Sequence, residues 1–131
     1  MSNKKENEMK MPADLSERGR RAHEVIVGYL TELGRLDTGG CQAFYSPAEW
    51  IARGEGYGLR SVLVVVYDGG DHRPVFSLDA AYDHDCRTFR ERGAEYRPYE
   101  MYEAMQKRLH DVGLYIEECT AWYGAVYPVP R

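Results

Sequence analysis

The run SVLVVVYD, Ser61 to Asp68, constrains this chain more than any other stretch. It is β-branched and apolar at consecutive positions, so a strand made from it is hydrophobic on both faces. Such a strand belongs in the interior of a sheet, and other elements must cover it from two sides. Val62 to Val66 is the longest apolar run, far too short to span a bilayer, and no apolar signal segment follows the polar start MSNKKENEMK. The expectation is a protein that is neither membrane-inserted nor exported.

The elements that could cover the strand are legible on either side of it. Residues Met1 to about Pro12 are polar and without period, which predicts a disordered tail at 1–12 and a single folded domain over 13–131. Asp14 followed by Glu17 resembles a capping box, and Ala22, Val25, Ile26, Tyr29, Leu30 and Leu33 recur at helical spacing up to the stop signal Gly34. CQAFY reads as a short strand. In SPAE, Ser46 is the N-cap, Pro47 the first helical residue and Glu49 the reciprocal partner of a short helix carrying Trp50, which is expected to be a core anchor. RGEGYG, Arg53 to Gly58, follows a helix and precedes a strand, the reverse of the dinucleotide-binding order, and reads as a flexible connection.

Beyond the apolar run, GGDHRP turns the chain and PVFSLDAA alternates from Pro74, so the spacing predicts a hairpin partner strand containing Val75. Helix resumes near Pro98 with Tyr102, Met105, Leu109 and Val112 on one stripe, and Gly113 ends it. LYIEECTAWYGAVYP reads as two short strands around Cys119 to Ala121, or as one bent strand with a bulge at Gly124. The fold class that results is α+β: a mainly antiparallel sheet of about four or five strands, two longer helices on one face and one short helix. An exposed edge, either the strand from Val75 or the last one with Tyr123 and Tyr127, would invite pairing into a homodimer.

Charge and cysteine usage narrow the partners. A formal net charge of -4 argues against broad phosphate binding, so nucleic acid is disfavoured. The weak basic run Arg87, Arg90, Arg92 and Arg97, with Phe89 and Tyr96 interleaved, is interrupted by Glu91 and Glu95. Cys41, Cys86 and Cys119 have no CxxC spacing, which suits a reduced, cytoplasmic protein.

Catalytic chemistry finds little support. There is no GxSxG elbow, and glutamates flanking Cys119 would raise its thiol pKa, the wrong direction for a nucleophile. Asp68, Asp71 and His72 are expected in a solvated turn, because Gly and Asp are what turns select. Asp79, Asp83, His84 and Asp85, next to Cys86, are the one candidate metal set, for a small hydrolase-like enzyme, but adjacent residues on an extended chain point apart. No cofactor and no resident metal are expected.

Eleven tyrosines in 131 residues are the most distinctive compositional feature. Tyrosine is amphipathic and loses little entropy on ordering, so acidic, tyrosine-rich surface points to protein recognition. The candidate partner-binding residues are Tyr96, Tyr99, Glu100, Glu103, Tyr123 and Tyr127. Finally SPAEWIARGEGYGLRSVLVVVYDGGD, FSLD and GLYIEECTAWYGAVY, within Cys41 to Tyr127, resemble small bacteriophage and mobile-element proteins without assigned catalytic residues. The resemblance implies an inhibitor of a bacterial defence complex, in the manner of anti-CRISPR proteins, that binds a bacterial protein or protein complex.

Overall fold

The computed structural model describes residues 9–78 and 98–130. Helix α1 spans Glu17–Leu33. Its cap is Ser16, whose hydroxyl accepts from the Gly19 N–H, and not Asp14 as the spacing suggested. Asp14 instead accepts from the Ser46 hydroxyl at 3.0 Å, tying the approach to α1 to the start of the next helix. Gly34 ends α1 in the left-handed region at φ 70, where glycine carries no Cβ penalty, and its N–H reaches back to the Leu30 and Thr31 carbonyls.

Strand β1, Phe44–Tyr45, leads into α2, Pro47–Ala52, whose capping box between Ser46 and Glu49 forms as read from SPAE. Strand β2 is Leu63–Val66, buried at every position. Helical turn α3, Arg73–Phe76, comes next; α4 is Pro98–His110, β3 is Leu114–Glu118 and β4 is Tyr123–Pro128.

The four strands form one antiparallel sheet in the order β1-β2-β4-β3. Val64 lies opposite Ala125 and Ile116 opposite Val126, so β2 is internal as its composition demands and β4 is internal beside it. The fold is therefore α+β, with two longer helices. The final segment is two strands, not one bent strand.

Two expectations are corrected. The hairpin partner of β2 does not form: Val75 donates to the His72 carbonyl and Ser77 to the Arg73 carbonyl, winding this stretch into α3. Pro74 fits a first helical turn, where no N–H is needed, and Pro74, Val75 and Phe76 are all buried, so a short alternating pattern concealed a buried turn. Among the described residues the sheet edges are accordingly β1 and β3, not a Val75 strand or the Tyr123–Tyr127 strand. Contact with the core also begins before residue 13: Met9 is buried, its carbonyl accepts from His23 Nε2 at 2.8 Å, and Met11 touches the same cluster.

Both faces of β2 are covered. On one, Ile26 and Leu30 of α1 and Met105 and Leu109 of α4 meet Leu63, Val65, Ile116 and Val126. On the other, Trp50 of α2 sits over Val64, Val66 and Tyr123. Alternate side chains of one strand thus feed two cores.

Candidate binding surface

The connection after α1 and the one after β2 are laced together by polar groups. Arg35 is buried and its guanidinium donates to the Asp71 carbonyl at 2.6 Å, while the Asp71 carboxylate accepts from the Asp37 N–H at 3.1 Å. Thr38 donates to the Cys41 carbonyl at 2.7 Å. His72, expected in solvent, is fully buried: its Nε2 donates to the Val66 carbonyl at 2.9 Å and its ring meets Phe76 edge to face. A turn-like sequence hid this because the pattern DGGDH reports backbone conformation and not what the imidazole reaches.

Chemically this knot is a staple. Burial pushes the His72 pKa down, and burial pushes Asp71 up against the opposing pull of the Asp37 N–H and Arg35. A neutral imidazole with no exposed atoms cannot exchange protons with a substrate. His23, also buried, has its pKa lowered by burial. Both folded values lie below the unfolded value of 6.5, so the unfolded chain takes up these protons first. The contribution is complete above pH about 6.5 and is lost as pH falls through the lowered folded values. Urea unfolding midpoints should therefore drop between pH 7.5 and pH 5, and His72→Gln should flatten that slope; equal slopes in both proteins would contradict it.

The second sheet face carries an aromatic layer. Trp50 contacts Tyr45, Trp122 and Tyr123, with ring centroids 4.8 Å apart in the Trp50–Tyr123 pair, and the Arg53 guanidinium lies 4.9 Å from the Trp50 ring. The RGEGYG connection closes over it, with Gly58 against Ala125, Val64 and Cys119. Tyr57 and Ile51 project outward from this layer. Burial, then the nearby Glu117 carboxylate, pushes the Cys119 thiol pKa up, in the direction read from the sequence.

The candidate partner-binding residues separate into three places. Tyr99, Glu100 and Glu103 lie in the first half of α4 and are exposed, Tyr99 at 42%. Tyr127 is half-buried on β4 and stacks on Tyr115 of β3 at 5.7 Å, beside exposed Glu117. Tyr123 is corrected: only 2% exposed, it belongs to the aromatic core and offers no surface to a partner. Tyr96, the candidate metal residues Asp79, Asp83, His84 and Asp85, Cys86 and the basic run Arg87 to Arg97 lie outside the described residues. Among the described residues no group of three His, Cys, Asp or Glu side chains could hold a metal ion, and no helix is long and apolar enough to cross a membrane.

Tyr99, Glu103, Lys107 and Glu100 fall within one side of α4, since residues three and four apart are neighbours on a helix. Near the end of α4, Arg108 bridges to α1: it donates to Glu32 at 2.7 Å, and its guanidinium covers the Tyr29 ring at 4.3 Å. No periodicity within one helix could have revealed this contact. Comparison with protein-family models, curated proteins and solved structures finds no match.

Proposed function

We propose that this chain is a non-enzymatic protein-binding module that engages a bacterial protein or protein complex through the outer face of α4. The observation that supports the reading is the solvent-facing set of Tyr99, Glu100 and Glu103 on a single helix. A rigid helix presents these groups at fixed spacing, so little entropy is lost when a partner closes over them. Carboxylates at the rim steer a basic partner and set the encounter rate more than the final affinity. The sequence resemblance to mobile-element proteins favours, as the partner, a cytoplasmic defence complex whose nucleic-acid site an acidic module would occlude.

The test is affinity capture from bacterial lysate with three proteins: the wild type, Glu100→Lys/Glu103→Lys, and Glu117→Lys on the other sheet face. The expected result is a stoichiometric partner lost only with the double reversal, at an unchanged melting temperature, because exposed substitutions shift stability by no more than about 0.5 kcal/mol. No stoichiometric partner, or one retained by the double reversal, would sink the reading.

A further inference from the structure

Helix α1 contains two interior glycines, and only one has a reason among the described residues. At Gly19 a Cβ would collide with the Val62 backbone carbonyl and press on Leu15, so close approach of α1 to the start of β2 requires glycine. At Gly28 a Cβ would meet nothing within 4 Å. Its φ is not positive, so no unusual backbone conformation requires glycine there either. Glycine inside a helix lowers stability relative to alanine, and no contact among the described residues offsets that cost at Gly28.

Gly28 lies in a groove of about 330 Å³ between α1 and the end of α4. Val25 lines the groove beside it, Tyr29 lies beneath the Arg108 guanidinium, and the charged lining among the described residues is Glu24, Glu32 and Asp111 against Arg108. The cations already present sit in solvent-exposed pairs. Arg108 pairs with Glu32 at 2.7 Å and Lys107 with Asp111 at 3.1 Å, and all four side chains are more than 40% exposed. Such pairs contribute little to stability, so incoming cations can replace them at small cost.

We infer that this groove receives a basic amphipathic helix of the protein partner, packed closely over Gly28 with its Lys and Arg side chains on Glu24, Glu32 and Asp111. This rests on the protein-binding reading above and extends its surface from α4 across to α1. Helix-in-groove recognition uses an apolar floor with charged margins, and the distance between two packed helices is set by the side chains at their contact. A glycine at that contact lets the partner backbone come close. A second copy of this chain fits poorly, because it would bring the same three carboxylates and a further net charge of -4.

The test titrates the full-length ¹⁵N-labelled protein with a helical peptide of about 18 residues, long enough to lie along both helices, with a leucine stripe flanked by Lys and Arg. A peptide with Glu at the flanking positions is the control. The expected result is movement of amide signals at 24–32 and 108–111 with the basic peptide only, and weaker binding at higher salt. Gly28→Leu should weaken binding by about tenfold or more while the melting temperature holds or rises, because leucine fills the groove floor and is a better helix former. Equal binding of the two peptides, or unchanged affinity in Gly28→Leu, would overturn the inference. So would a concentration-dependent dimer abolished by Gly28→Leu, since the occupant would then be a second copy. If the lysate partner is lost with Glu100→Lys/Glu103→Lys but retained by Gly28→Leu, the groove inference falls alone and the α4 surface stands.

Discussion

Trp50→Ala is expected to cost about 3–5 kcal/mol, a large part of the stability of a domain this size. Trp50 is fully buried, and the other layer's helices do not reach it: its neighbours are Val64, Val66 and Tyr123 from the sheet, with Tyr45 and Trp122 at the margin. Helix α2 has six residues, too few to persist on its own propensity, so it stays in place because Trp50 anchors it. Removing the indole leaves a cavity that Tyr45 and Trp122 can fill only by abandoning their own contacts. It also strips the Arg53 guanidinium of one of its two aromatic faces. Urea unfolding should show a lower midpoint, while Ile51→Ala, one position along and 55% exposed, should stay within about 0.5 kcal/mol of wild type. A Trp50→Ala protein with near wild-type stability would mean that the second layer is an appendage and not a core.

Much of this fold is written in local patterns that a single sequence exposes. The apolar run in β2 demanded cover on both faces, Ser46-Pro47-Ala48-Glu49 specified a helix start, and Gly34 and Gly113 marked helix ends. In each case the signal and its cause lie within a few residues of one another. The misread parts depend on partners distant in the chain. Ser16 and Asp14 are both competent caps, and Asp14 is diverted because Ser46, 32 positions away, supplies it with a donor. His72 is buried because the Val66 carbonyl is within its reach and because Arg35 and Asp37 hold its loop.

The candidate surface was legible by composition and only in part by position. Glu100 and Glu103, offset from the apolar stripe of α4, are exposed as a partner-binding role requires. The abundance of tyrosine could not distinguish Tyr99, which is exposed, from Tyr123, whose ring is enclosed by Trp50 and Trp122. Along β4 the two faces alternate, and both of this sheet's faces are covered near β2, so an amphipathic residue there is as readily core as surface. The groove over Gly28 had no sequence signature, because an exposed glycine and a packed one are the same letter.

Gly19→Ala separates those two meanings and should have the second largest effect, a loss of about 2–3 kcal/mol. Intrinsic helix propensity favours the change by about 1 kcal/mol, so propensity and packing pull in opposite directions. Packing wins because the obstacle is the Val62 carbonyl, a backbone oxygen at the entry to β2 that cannot rotate away as a side chain would. Val62 is further fixed by its own N–H, which donates to the Val126 carbonyl at 2.8 Å. Leu15, whose Cβ and Cδ2 would each lie 3.2 Å from the new methyl, crowds it from another side. Helix α1 must then lift from the sheet, loosening Ala22 and Ile26, both fully buried one and two turns further along. Thermal and urea unfolding of Gly19→Ala beside Gly28→Ala would measure the contrast directly: the first should melt lower than wild type and the second higher. A Gly19→Ala protein that gains stability as Gly28→Ala does would show that α1 does not press on β2, and the seating of the helix that carries Glu24, Gly28 and Glu32 would need another cause.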